Sequence, residues 1–329
     1  MKKMITKKIE KEEVEDKPKL LLLVDGSNLA HRAYQKFKNL KTPAGLNTGL
    51  VYGFMRLLSG YTARFRPTHL IVTFDTKQSK ATNFRNNLLG SYKEHRRDNA
   101  KKLDIDYEDF NRQLKSIKKM LKYMRVPVVW DSKGLGHESD DYIAHYTFTH
   151  PGKVMIISSD KDFCQLISKR VKIYNPFKEA IIQEKTCFDI MGYTPKECVD
   201  YLCLLGDKSD DIPGYMGMGP VRIREFLTEF GSIKKFISNP GNEYRGIDRD
   251  ALEDLYSRNK VLIDLKVALR KYPLDKIPII YSREKKINEP KLRALFKEYS
   301  LISFLTPDFI NPFKKLIPWH EPKKISKSN

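Results

Sequence analysis

The sequence is poor in cysteine, in long apolar runs and, relative to its bases, in acids. Its four cysteines are Cys164, Cys187, Cys198 and Cys203. None forms a C-x-x-C pair, and none has a histidine at ligand spacing. A disulfide framework and a structural zinc site are therefore excluded, which leaves reduced, buried thiols. The longest apolar run near the start, residues 20–24, is far short of a membrane span of about 20 residues or a signal-peptide core of about 7–15. The expectation is a cytoplasmic chain with no membrane partner. Asp and Glu number 41 against 61 Lys and Arg, a net charge of +20. That excess points to a polyanionic partner. With 40% hydrophobic and 11% aromatic residues the chain can bury a sizeable core, so wholesale disorder is excluded as well.

What is present alternates. Leu20–Asp25 is a continuous apolar run closed by Asp-Gly, as in a strand buried on both faces. Residues 69–75, 126–130, 154–158 and 171–174 read as further strands, and 48–65, 107–124 and 140–150 as helices between them. The expected fold is α/β, a mainly parallel central sheet flanked by helices. It would occupy residues 20–205. Strands are expected to stop after about residue 195, leaving a helical module over 206–305. Residues 1–19 read as a charged tail and 306–329 as a basic one. A strongly basic stretch at 77–105 carries few core positions and reads as a loop or arch standing off the domain.

The acids fall in a pattern. Asp25 and Asp75 end the first two strands, Glu138, Asp140 and Asp141 follow the third, and Asp160 and Asp162 follow the fourth. All project from the carboxyl edge of a parallel sheet, where α/β folds place ligands. Asp207 and Asp210, in GDKSD, can share one face of a turn. Each Asp after a strand also suits a helix cap or turn. Two like charges about 5 Å apart at an effective dielectric near 20 repel by roughly 3 kcal/mol, so such a cluster calls for cations. Oxygen ligands without Cys or His favour Mg²⁺ or Mn²⁺, and a pair of such ions suits phosphodiester hydrolysis.

Five motifs occur in order: VDGSNLAHRAY (24–34), FRNNLLGSYKEHR (84–96), GHESDD (136–141), SSDKDFCQLI (158–167) and GDKSDDIPGYMGMG (206–219). Together they resemble the structure-specific 5′-nucleases: the 5′-3′ exonuclease domain of DNA polymerase I, phage 5′-exonucleases and phage ribonuclease H, and the flap endonucleases. The similarity covers roughly residues 20–270 and suggests a stand-alone, PIN-like member of the family. The resemblance implies that Asp25, Asp75, Glu138, Asp140, Asp160 and Asp162 surround a first metal, and that Asp141, Asp207 and Asp210 lie toward a second. It makes Lys93 the lysine at the scissile phosphate and Arg85 a phosphate-binding neighbour, with Arg96 and Arg97 on the arch. It makes residues 212–219 a helix-hairpin-helix turn, where Gly214, Gly217 and Gly219 let the backbone approach a phosphate and a K⁺.

Some positions depart from the family pattern. Asp211 replaces the usual Asn, as an extra charge or a turn cap. Val221 replaces a lysine, whose phosphate contact passes to Arg222 or Arg224. His137 replaces a small apolar residue and reads as a partly exposed neighbour rather than a ligand. Tyr34, Phe37 and Tyr92 read either as stacking platforms for an unpaired base or as core.

The resemblance thus implies a monomeric, metal-dependent 5′→3′ nuclease acting on 5′-ended or branched duplex DNA and RNA–DNA hybrids, with replication proteins as partners of the tails. Two rivals stand beside it. A PIN-type ribonuclease would lack the GDKSD hairpin, and a non-catalytic DNA-binding relative would have lost some of the acids.

Overall fold

The computed structural model describes residues 19–76, 82–94, 105–132, 134–274, 277, 279–280 and 286–319. Strand β1 (Leu20–Asp25) is buried along nearly its whole length. Leu21 and Leu23 enter one core and Leu22 and Val24 the other, so the apolar run reflects a sheet covered on both faces. Helices α1 (Gly26–Phe37) and α2 (Gly49–Phe65) follow, then β2 (His69–Phe74), α3 (Phe84–Leu88), α4 (Tyr107–Tyr123) and β3 (Val128–Trp130). Next come α5 (Ser139–Thr149), β4 (Lys153–Ile157), the hairpin of β5 (Val171–Asn175) and β6 (Ala180–Ile182), α6 (Glu184–Met191) and α7 (Cys198–Leu205).

The sheet order is β6-β5-β4-β1-β2-β3, with a further strand beyond β3. Pairings from β5 through β4, β1 and β2 to β3 are all parallel. Strand order reverses between β1 and β4, so the crevice beside Asp25 and Asp160 is the topological switch point of the sheet.

The second half departs from the expectation that strands stop after about residue 195. A two-stranded ribbon, β7 (Gly206–Asp207) with β8 (Ile212–Pro213), carries the GDKSD turn. Helices α8 (Pro220–Phe230), α9 (Ile233–Ser238), α10 (Arg249–Ile263) and α11 (Leu265–Lys271) follow. Their Ile223, Phe226, Phe236 and Leu252 share one continuous core with Leu21 and Leu23. Strand β9 (Ile279–Ile280) then pairs antiparallel with β3.

The region expected to be helical module and basic tail instead crosses to the opposite face. Helices α12 (Glu289–Glu298) and α13 (Pro307–Lys314) bury Leu292, Phe296, Phe309 and Phe313 in the core that holds Leu22 and Val24. Phe304 and Phe309 stack at 4.2 Å. Pro307 occupies the first turn of α13, where a missing N–H costs nothing. Trp319 is buried as well. No described helix is long and apolar enough to cross a membrane.

Candidate active site

The carboxyl edge of the sheet opens into a cavity of about 550 Å³ lined by Asp25, Asp75, Glu138, Asp140 and Asp160. Asn28, Asn83, Tyr92 and Lys93 complete much of the wall. Asp25 ends β1 and caps α1, accepting the Asn28 N–H at 3.0 Å. Its other oxygen accepts the Ser158 hydroxyl at 3.0 Å, which ties β1 to the end of β4. Asp75 accepts the Ser139 N–H at 2.9 Å, so it faces the N-terminus of α5. Asp160 accepts the Asp162 N–H at 2.9 Å. Asp25 and Asp160 thus make the local cap or turn contact expected of an Asp after a strand, Asp75 instead reaches across to α5, and all three line the cavity.

The carboxylates divide by whether the protein supplies a cation. Burial, then Asp75, pushes Asp25 up to about 7. Burial, then Asp160, Asp25 and Asp75, raises Asp140 well above the usual range. Asp160 is raised by burial, and Asp162 by burial and by Asp160, Asp207 and Asp210. These acids have little positive charge against them. The others are paired. Burial works against charge on Glu138, but Lys93 at 2.6 Å and Arg85 hold its carboxyl below the usual range. Burial works against Asp141 too, and a two-pronged contact with Arg85 at 2.8 and 2.9 Å holds it low. Asp207, likewise opposed by burial, is kept low by Ser209 and by Lys161 at 3.1 Å. Asp210 receives the Tyr92 hydroxyl at 3.2 Å and lies 3.6 Å from Lys93.

Among the described residues, no group of three or more His, Cys, Asp or Glu is closed tightly enough to hold a metal by itself. An open oxygen-rich cleft suits Mg²⁺, which retains several waters. The raised carboxylates, which repel one another for want of a counter-charge, fit such an ion.

Several expectations change at this point. Residues 83–85 and 92 do not stand off the domain. Asn83, Phe84, Arg85 and Tyr92 are all buried, and Phe84 stacks on Tyr272 at 4.0 Å. Arg96 and Arg97 lie outside the described residues. Arg85 is 2% exposed and locked to Asp141, so neither the guanidinium as a phosphate contact nor Asp141 as a metal ligand is free for that role here. His137 is buried rather than partly exposed, with Nδ1 3.7 Å from Asp141. Tyr34 and Phe37 are packing residues: Tyr34 meets Phe110, and Phe37 meets Tyr52, edge-on. Asp211 adopts φ +58, a left-handed conformation that Asn and Asp tolerate better than most residues, which favours the turn over the extra charge.

In the hairpin, Gly217 has φ +78 and Gly219 is the N-cap of α8, beside open space. Gly214 has a different reason: a Cβ there would stand 2.4 Å from the Leu205 carbonyl. Arg222 donates to the carbonyls of Gly217, at 2.8 Å, and Arg245, and so acts as a staple for the turn.

The sequence reading missed Lys161, Asn83 and the hydroxyl of Tyr92. Lys161 had a signal, its place between the two acids of SDKD. Asn83 had a weaker one, its place next to the FR of the basic stretch.

Comparison with known proteins places these motifs in context. The family model for the 5′-3′ exonuclease, N-terminal resolvase-like domain, matches residues 20–192. A 5′-3′ exonuclease of Aquifex aeolicus is 32% identical over 291 residues, covering 86% of this chain and 96% of that protein. DNA polymerase I of Bacillus caldotenax is 30% identical over 303 residues, covering 87% of this chain and 32% of the polymerase. A bacteriophage T5 flap endonuclease solved with DNA and metal ions superimposes with a TM-score of 0.65 at 21% identity, covering 87% of this chain and 99% of that one. At that identity the likeness is one of fold.

Proposed function

The chain belongs to the 5′-3′ exonuclease family, and on that premise we propose that it is a divalent-cation-dependent nuclease cutting phosphodiesters near 5′ ends at flaps, nicks and RNA primers. The supporting observation is the division of the carboxylates. Asp25, Asp140, Asp160 and Asp162 are raised by burial and by neighbouring carboxylates, and the nearby Lys93 and Lys161 do not offset this. These residues, with Asp75 and with Glu138 once Lys93 turns away from it, would hold Mg²⁺ or Mn²⁺. When two such ions are bound, they supply a water of lowered pKa and neutralise the leaving 3′ oxygen.

The remaining chemistry falls to the chain's own residues. Lys93 sits between Glu138 and Asp210 with its side chain 21% exposed, and its ammonium can turn to a phosphate in the cleft. It would stabilise charge building on the phosphate. Arg85 would hold Asp141 and the start of α5 in place. The hairpin at 214–219 would meet the duplex through backbone N–H groups, with little sequence preference.

A 5′-labelled flap substrate tests the proposal. It is expected to be cleaved with Mg²⁺ and left intact with EDTA. Asp160→Asn is expected to abolish cleavage and leave duplex binding largely intact. Tight binding without cleavage under any divalent ion would favour the non-catalytic DNA-binding reading instead.

A further inference from the structure

We propose that Asn83 is a positioning residue for the divalent-cation site, aiming the Glu138 carboxylate through its side-chain amide. The inference rests on the cation site proposed above. Asn83 is 3% exposed and precedes α3. Its Oδ1 accepts the Arg85 N–H at 2.9 Å. A backbone N–H can meet only the oxygen of an amide, so this bond fixes which way the group is turned. Nδ2 is therefore the atom 3.2 Å from Glu138 Oε1, and it donates to it.

The two ends of this bond sit on a rigid joint. Gly136 has φ +89, and a Cβ there would stand 2.0 Å from the Thr82 carbonyl oxygen and 3.2 Å from Asn83 Cα. The buried Asp131 accepts the N–H groups of Leu135 at 2.9 Å and Gly136 at 2.8 Å. The loop that leads into Glu138 is thus pinned directly against the backbone of residues 82–83.

The chemistry of the amide matters. Glu138 Oε2 receives the Lys93 ammonium at 2.6 Å and the Tyr92 hydroxyl at 3.0 Å. A lysine there neutralises the acid and competes with any cation for it. An amide N–H orients Oε1 without cancelling its charge, so Glu138 stays available when Lys93 turns away. Serine at this position would cap α3 but is too short to reach Glu138 as well. Aspartate would cap α3 equally well and set a second negative charge against Glu138.

The test is Mn²⁺ titration without DNA, with free Mn²⁺ followed by its paramagnetic resonance signal, on the wild-type chain, Asn83→Ser and Asn83→Asp. Asn83→Ser is expected to keep the wild-type melting midpoint in EDTA and lose about tenfold in Mn²⁺ affinity, the lower end of what removing a partner behind a ligand costs. Asn83→Asp is expected to melt lower in EDTA and to gain more from Mn²⁺ than the wild type does. Wild-type Mn²⁺ affinity in Asn83→Ser would overturn the proposal. So would a lower midpoint in EDTA with unchanged affinity, which would leave Asn83 as a helix cap alone. A wild-type chain that binds no Mn²⁺ would instead overturn the cation site itself, and this inference with it.

Discussion

Arg85 and Lys93 both meet the acidic cleft, and burial separates their tasks. Arg85 is 2% exposed and bonded through both prongs to Asp141, which is 1% exposed. Removing it would strand a buried carboxylate, so Arg85→Ala is expected to cost about 3–5 kcal/mol in chemical denaturation. Lys93 is more open, and its φ of +55 sets it at a sharp turn that brings its ammonium over the cleft. Lys93→Ala is expected to leave stability near wild type and slow single-turnover cleavage by orders of magnitude. Equal losses of stability in the two variants would show that Lys93, too, is structural. The acids give a pH signature of their own. Asp25 rises from 3.8 to about 7 on folding, so between those values the folded chain binds more protons than the unfolded one. Stability from this group is present at low pH and is lost as pH rises through about 7. Asp141 and Asp207, held low, have the opposite sign: their contribution is present above the usual carboxylate range and lost on acidification. A cation that relieves the raised acids should therefore matter more at higher pH. The gain in melting midpoint from Mg²⁺ over EDTA is expected to be small near pH 5 and to widen toward pH 8. A gap independent of pH would remove Asp25 and its neighbours from the cation site.

At the scale of elements, the C-terminal helices close one face of the sheet. Phe313 is 2% exposed in α13, in the core that also holds Phe54 of α2. Phe313→Ala is expected to cost about 3–5 kcal/mol, read as a shifted denaturation midpoint, without changing the metal dependence of cleavage. Solvent-like behaviour of this variant would restore the basic-tail reading of residues 306–319. The helix was hidden in the sequence because Pro307 and Pro312 look like breakers, whereas Pro307 is a good first-turn residue. Ribbons of two residues, such as β7–β8 and the short β9, offer no alternation to detect. The central strands were legible for the opposite reason: buried on both faces, they are unbroken apolar runs, and their ends mark where the acids must lie. Which acid each base would meet was not legible. The family resemblance set Arg85 beside the cleft, but only the fold turns it onto Asp141 and gives Lys93 to Glu138.

At the scale of the whole molecule, the net charge of +20 is an average over two opposed surfaces. The cleft gathers acids, so the surface outside it is more basic than the total suggests. Duplex binding should weaken as salt rises, with log affinity falling by about 0.9 per decade of salt for each phosphate neutralised. The hairpin offers a way to find one such contact. Arg222 and Arg224 are the two cations that follow Val221, but Arg222 is half-buried and bonded to the carbonyls of Gly217 and Arg245. Arg224, exposed on α8, remains available to a phosphate. Arg224→Ala is therefore expected to weaken binding across all sequences and reduce the salt slope by about 1. Arg222→Ala is expected to lower the melting midpoint by loosening the turn, and to weaken binding with the slope unchanged. Salt titrations of both variants in EDTA, with cleavage silenced, separate the two roles. A reduced slope for Arg222→Ala and an unchanged one for Arg224→Ala would show that the staple opens on DNA and that Arg222 reaches the phosphate itself.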